Sequence, residues 1–98
     1  MNATSDYRTK ENIQPIESLT VDDLRPVSYT LKTNDEHHLG FIAHELQEHI
    51  PTAVKGEKDG EIMQTINYNE IIPVLVKEIQ DLKKEVKSLK SEISILKS

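Results

Sequence analysis

Residues 71–98 read IIPVLVKEIQDLKKEVKSLKSEISILKS, and this stretch has the clearest apolar periodicity in the chain. Apolar residues recur in it with alternating gaps of three and four, without interruption, over four heptads. The a positions are Ile72, Ile79, Val86 and Ile93, and the d positions are Leu75, Leu82, Leu89 and Leu96. A stripe this narrow is typical of a coiled-coil seam rather than of a helix packed on a core. The spacing therefore predicts a long, self-associating helix over residues 71–98.

Charges beside the seam predict that the associated helices run parallel. Each g-position glutamate is followed, five residues later, by an e-position lysine. The pairs are Glu78 with Lys83, Glu85 with Lys90, and Glu92 with Lys97. A parallel arrangement brings each glutamate to a lysine of the neighbouring helix, whereas an antiparallel one pairs like charges. Each exposed pair contributes only about 0 to 1 kcal/mol, so the joint effect is on orientation.

The residue types in the seam bear on the number of helices. β-Branched residues at a, combined with leucine at d, favour two strands in a parallel coiled coil. The seam taken alone therefore indicates a dimer, and no asparagine at an a position enforces that number. A single amphipathic helix packed on its own domain is the alternative. Ile95 stands apart from the seam, at an exposed c position.

Three residues predict where the helix begins. Asn69 is a candidate N-cap, and Glu70 places a negative charge in the first turn, where the helix dipole favours it. Pro73 is compatible only with the first turn of a helix. No glycine or proline follows Pro73, so the helix is expected to continue to residue 98.

The chain before the helix predicts a small globular part over residues 1–70. Residues 27–31 alternate and are rich in β-formers, which predicts a strand. Residues 34–38 predict a loop, residues 39–43 a second strand-like run, and residues 44–49 a short helix that Pro51 ends.

A β-hairpin is predicted farther along, between residues 53–55 and 62–66, because a turn signal at residues 58–61 separates them. The predicted fold class is therefore α+β. A small N-terminal globular part with short strands, a β-hairpin and a short helix precedes a long C-terminal helix that forms a parallel coiled coil.

Composition excludes several functions. The chain has 98 residues, one domain's worth, and carries a net charge of −5 with no basic face, which argues against a nucleic-acid partner. It lacks cysteine, and no apolar run approaches the roughly 20 residues that span a bilayer. Its four histidines include His44 and His49, five apart, a spacing that does not align side chains on a helix face. No metal site, cofactor or membrane partner is predicted.

Residues 5–13, SDYRTKENI, carry the most specific pattern in the chain. A serine and a lysine five residues apart mean little by themselves. The stretch, however, resembles the opening motif of the endosialidase-type intramolecular chaperones, roughly Ser-Asp-x-Arg-x-Lys-x-Asn-Ile, and every fixed position is met. The resemblance continues through residues 25–29 and 40–46. It resumes at Pro51 and at residues 66–68 and 71–75.

The resemblance implies a fold-assisting, self-cleaving domain. Such domains lie at the C-terminus of viral tailspikes and tail fibres. They trimerise, hold three chains in register while a β-rich stalk folds, and then cleave themselves from the stalk. By this resemblance Ser5 is the nucleophile and Lys10 the general base. The scissile bond lies at Ser5, beside Asp6, and which side of Ser5 is cut stays open. A homotrimer is implied in place of the dimer that the seam indicates.

The client implied by the resemblance is the upstream fibre or stalk region of the same polypeptide. The implied place of action is the host cytoplasm during virion assembly, with release from the mature fibre. In that role the domain is a single-turnover serine autoprotease and not an enzyme for external substrates. Two other functions stay open: a non-catalytic oligomerisation module, and the self-cleaving trimerisation domain of a membrane-bound transcription factor.

Overall fold

The computed structural model describes residues 5–98. Residues 1–4, the beginning of the predicted 1–70 part, lie outside the described residues. The α+β class predicted from the sequence is confirmed: two short hairpins and a short helix precede one long helix. The strands are β1 Val27–Thr30, β2 His37–Gly40, β3 Val54–Lys55 and β4 Thr65–Ile66, and the helices are α1 Ala43–Gln47 and α2 Ile72–Lys97. Short 3₁₀ turns cover Tyr7–Thr9, Pro51–Ala53 and Tyr68–Glu70.

Each hairpin is a separate two-stranded antiparallel sheet. In the first, Tyr29 lies opposite His38 and their rings are 5.9 Å apart between centroids. The predicted strand at 27–31 is confirmed over residues 27–30, but residues 37 and 38 lie in β2 and not in the predicted loop. They pair because the turn is tighter than expected: Leu31 N donates to Glu36 O at 2.8 Å, so the return strand starts at His37. The run predicted for 39–43 accordingly ends at Gly40.

The second hairpin is confirmed but is shorter than predicted. Val54 pairs with Ile66 and Lys55 with Thr65, while residues 62–64 lie outside the strand. Gln64 explains part of this difference, because its Nε2 donates to Gly56 O at 3.1 Å and ties the loop by a side chain instead of a ladder bond.

The hydrophobic core joins α1, the second hairpin and the first turn of α2. Its buried members are Leu46, Ile50, Ala53, Val54, Ile71 and Val74. The N-terminal segment, residues 5–26, covers part of this core through Ile16, Leu19, Val21 and Leu24. Burying one aliphatic side chain completely stabilises a fold by about 1.5 to 3 kcal/mol. Because this core has few such side chains, the single domain is expected to be only marginally stable.

The start of α2 differs from the prediction. Asn69 is not its N-cap: it lies inside a 3₁₀ turn, and its backbone N–H donates to the side chain of Asn67 at 3.1 Å. The 3₁₀ turn leads straight into the helix, since Ile71 already has helical dihedral angles and accepts from Leu75 N at 3.0 Å. Asn67 therefore caps the combined turn and helix. Pro73 lies in the first turn, as predicted.

The heptad seam of α2 is uncovered in the single chain. Val74 is the only buried residue of this helix, and it lies outside the a and d positions. All eight seam residues are exposed, from 43% for Leu75 to 85% for Leu96. Only the beginning of α2 packs on the globular part, so the helix does not bury its apolar stripe within its own domain. Among residues 5–98, no helix has the length and apolarity needed to cross a bilayer.

Glu78 fastens the N-terminal segment to α2. Its Oε1 accepts from Thr20 Oγ1 at 2.5 Å and from Val21 N at 2.8 Å. The Thr20 hydroxyl, followed by the Val21 N–H, holds the pKa of the Glu78 carboxyl below its usual value. The first of the three predicted g-position glutamates is thus engaged inside its own chain.

This contact predicts a pH-dependent contribution to stability. Because the folded-state pKa of Glu78 is depressed, its contribution is present above the unfolded-state value and is lost as the pH falls through the folded one. Glu78→Gln should lower the thermal midpoint by about 3 °C at pH 7, and the gap to wild type should close in acid. Glu85→Gln is the matched control, since it removes a g-position charge without touching Thr20. Equal effects of the two variants at pH 7 would contradict the prediction.

Candidate functional site

The turn at residues 6–10 is held together by its own hydrogen bonds. The Asp6 side chain accepts from Arg8 N at 2.9 Å and so caps the 3₁₀ turn Tyr7–Thr9. Thr9 Oγ1 donates to Asp6 O at 2.7 Å, and Lys10 N donates to Tyr7 O at 3.1 Å. Aspartate is well suited to this position because its short carboxylate reaches the N–H two residues on. The turn bends the chain enough for residue 10 to approach residue 5.

Ser5 and Lys10 meet across this turn. Lys10 Nζ donates to Ser5 Oγ at 2.6 Å. If the lysine is neutral, the direction of this hydrogen bond can reverse, and the serine hydroxyl then donates to the amine. A serine hydroxyl becomes a useful nucleophile when an adjacent base can take its proton, and this distance lies within the required reach. The two residues that the resemblance marked for catalysis are therefore brought together by local structure.

The pair is open to solvent in the single chain. Residues 5–15 are all exposed, and none of the residues in the 3₁₀ turn is buried. Tyr7 and Ile13, which bracket Lys10, are 76% and 71% exposed. The desolvation that would favour a neutral lysine is thus not supplied by the chain's own core.

Arg8 is engaged with Asp6. Its Nε donates to Asp6 Oδ1 and its Nη2 to Asp6 Oδ2, both at 3.0 Å, in a two-pronged ion pair. The Arg8 side chain, followed by the Arg8 backbone N–H, lowers the pKa of the Asp6 carboxyl. The geometry therefore gives Arg8 the role of a structural ion-pair partner of Asp6.

The backbone after the pair turns sharply at Asn12. This residue has φ of 51°, in the left-handed region, where asparagine is tolerated better than most residues with a Cβ. The asparagine of the motif is therefore explained by backbone geometry.

Two side-chain contacts connect the other stretches that carried the resemblance. Arg25 Nε donates to Glu45 Oε1 at 2.9 Å and Arg25 Nη2 to Glu45 Oε2 at 2.7 Å, which ties the approach to β1 to helix α1. Gly40 lies against the Tyr68 hydroxyl, so closely that an added Cβ would collide with it. The separate motif stretches thus meet in one small domain.

Residues that the sequence reasoning missed act through these contacts. The Thr9 hydroxyl and the Thr20–Glu78 contact were not singled out, and only the aspartate-to-arginine spacing in the motif gave a local signal. Within residues 5–98 no group of three or more potential ligand side chains could hold a metal ion.

Comparison with known families agrees with this picture. The fold is a small α+β domain with a long C-terminal helix, and its first turn presents a hydrogen-bonded serine and lysine. A family model described as chaperone of endosialidase matches residues 5–55, more than half of the chain. The chain therefore belongs to the chaperone of endosialidase family, which supports an intramolecular chaperone role. No curated protein matches the chain.

The matched range begins at the serine of the pair and ends in β3. It includes the N-terminal turn, the first hairpin and α1, and it leaves out β4 and α2. The resemblance seen in the sequence is confirmed over this range. The stretches at 66–68 and 71–75 lie beyond it.

Proposed function

We propose that this domain trimerises a viral fibre or tailspike protein, assists the folding of its β-rich stalk, and is released by Ser5–Lys10 autoproteolysis. Assembly would take place in the host cytoplasm, and the released domain would be absent from the mature fibre. The observation that carries the proposal is the 2.6 Å contact between Lys10 Nζ and Ser5 Oγ in a chain that also presents an uncovered heptad seam.

The seam supports association. Eight large apolar side chains exposed along one 26-residue helix are unusual for a protein that works as a monomer. A mostly apolar groove of about 540 Å³ opens beside the first seam residues, Ile72 and Leu75, and is also lined by Phe41 and Tyr68. The surface available to neighbouring chains therefore extends from the helix onto the globular part.

Direction and number rest on different arguments. Glu85 with Lys90 and Glu92 with Lys97 favour a parallel arrangement. Glu78 is held by Thr20 through Oε1, and within residues 5–98 its Oε2 makes no hydrogen bond, so that oxygen can pair with Lys83 of a neighbour. Three helices, rather than the two favoured by the a and d residue types, are proposed from the family resemblance. Association in register would raise the effective concentration of the upstream chains and lower the entropic cost of starting a non-local β fold.

The chemistry proposed for release is acyl transfer. Neutral Lys10 takes the proton from Ser5 Oγ as the oxygen adds to the carbonyl carbon of the scissile peptide. Collapse of the tetrahedral intermediate breaks the carbon–nitrogen bond, and the leaving amine receives that proton from Lys10. Water then hydrolyses the ester and restores the serine hydroxyl. Each molecule completes this sequence once.

Exposure of the pair supports a link between cutting and assembly. Because residues 5–15 are open to solvent in one chain, a neighbouring chain would have to supply the burial that favours neutral Lys10. The alternative of an oligomerisation module without chemistry draws on the same exposure of residues 5–15.

Refolding at different concentrations tests the proposal. A precursor that carries the upstream region is refolded over a hundredfold range of concentration, cleavage is followed by mass spectrometry, and molar mass by light scattering. The expected result is a trimer, with cleavage that appears only as the trimer forms. Cleavage at the same rate in monomer and trimer would reject the coupling, and a monomer at all concentrations would reject the proposed function.

A further inference from the structure

The charges around Lys10 are arranged in a way that bears on its role as a base. Asp6 directly follows the nucleophile, and Glu11 directly follows the lysine. A carboxylate in contact with a lysine stabilises the protonated ammonium, which cannot accept a proton. Neither carboxylate contacts Lys10 in the structure: Nζ lies on Ser5 Oγ, and within residues 5–98 Glu11 makes no side-chain hydrogen bond or ion pair.

Asp6 is the carboxylate closer to the nucleophile, and Arg8 engages both of its oxygens. Oδ1 accepts from both Arg8 N and Arg8 Nε, and Oδ2 accepts from Arg8 Nη2. Consecutive Cα atoms are about 3.8 Å apart, so a carboxylate on residue 6 lies one residue from the hydroxyl that Lys10 touches. A free Asp6 side chain would therefore compete with Ser5 for the lysine.

We propose that Arg8 is a positioning residue that holds the Asp6 carboxylate away from Lys10 and thereby leaves the lysine free to act on Ser5. This inference rests on the proposed autoproteolysis. The arginine suits the role because its planar fork engages both carboxylate oxygens and its charge cannot be lost near neutral pH. The lowered pKa of the Asp6 carboxyl agrees with a carboxylate that is ionised and occupied.

Within residues 5–98, the charged groups that form hydrogen bonds or ion pairs beside Ser5 and Lys10 belong to the same segment. The ionisable neighbours of Lys10 in the sequence are Asp6, Tyr7, Arg8 and Glu11. Among the described residues, the hydrogen bonds and ion pairs of residues 5–11 stay within that stretch. The electrostatics can therefore be altered with single substitutions near the pair, without disturbing the domain core.

The test is the pH dependence of self-cleavage in the precursor. Arg8→Gln should move the midpoint of the cleavage-rate profile to higher pH by about 0.5 to 1 unit. This is at or below the low end of the roughly 1 to 3 units typical of a carboxylate beside a cation, because the site is exposed. Asp6→Asn/Arg8→Gln should return the midpoint to that of Asp6→Asn alone, since asparagine keeps the turn cap but has no charge. Arg8→Lys should shift the midpoint less than Arg8→Gln.

Arg25→Gln is the matched control. It removes the other two-pronged arginine–carboxylate pair, with Glu45, at a distance from Ser5 and Lys10 along the chain. It should leave the midpoint unchanged whatever it does to thermal stability. A midpoint that moves equally in Arg8→Gln and Arg25→Gln would overturn the inference.

The remaining outcomes separate the inference from the function on which it rests. An Arg8→Gln variant that cuts more slowly at every pH with an unmoved midpoint overturns the positioning role and leaves autoproteolysis intact. A raised midpoint that persists in Asp6→Asn/Arg8→Gln also overturns it, because Asp6 is then not the cause. Absence of cleavage in the wild-type precursor overturns the proposed function, and the inference with it.

Discussion

Ser5→Ala is expected to leave the precursor uncut, with the rate of self-cleavage reduced by at least about a thousandfold. The substitution removes the only side-chain oxygen that Lys10 contacts in the structure described here, residues 5–98. Folding should be unaffected, because Ser5 is exposed and makes no contact with the core. Mass spectrometry of the refolded protein measures the effect directly.

Two further variants make the result specific. Lys10→Arg keeps a positive charge but cannot act as a base near neutral pH, so it should lose at least about a hundredfold of the rate. Ser18→Ala, an exposed serine of the same N-terminal segment, is the control and should cut at the wild-type rate. A Ser5→Ala precursor that shortens as fast as wild type would show that Ser5 and Lys10 do not make the cut.

Leu82→Asp is expected to abolish association at micromolar concentration. Leu82 is a central d residue, 60% exposed in the single chain, and in the proposed trimer three copies of it would share one layer. Loss of three buried leucine side chains, at about 1.5 to 3 kcal/mol each, corresponds to a weakening of at least about a thousandfold. Burying three carboxylates together adds to the loss. Light scattering should report a monomer, and the rate of self-cleavage should fall because the trimer is lost.

Ile95→Asp is the matched control for the seam. Ile95 is an apolar residue of the same helix, 71% exposed, at a c position outside the stripe. The substitution introduces the same charge while sparing every a and d contact, so the oligomer mass should stay at the wild-type value. Equal dissociation of both variants would show that the helix associates through some other face.

Much of the fold could be read from local patterns. The heptads at 72–96 specify a helix because the 3–4 spacing admits no other regular structure, and the strand at 27–30 follows from alternation. The predictions that were wrong concern places where a local turn changed the limits of a strand or helix. Residues 37 and 38 lie in β2 because the turn before them is closed by the Leu31–Glu36 hydrogen bond. Asn67, and not Asn69, is the cap because a 3₁₀ turn precedes α2.

The Ser5–Lys10 pair could not be predicted from the spacing of residues in the sequence. A serine and a lysine five apart become neighbours only because Asp6 caps a 3₁₀ turn between them. That turn was not predicted, so the pair was marked by family resemblance alone. The Thr20–Glu78 contact joins residues 58 apart in the chain, and such long-range contacts leave no periodic signal.

The hydrogen bonds that shape the N-terminal turn have a consequence for biosynthesis. Every one of them joins residues within positions 5 to 10, so a nascent polypeptide can form the reactive geometry shortly after this hexapeptide leaves the ribosome. The globular fold and α2 are translated only later. In the proposed mechanism the geometry of the two side chains therefore does not set the time of cleavage; removal of the surrounding water by neighbouring subunits does.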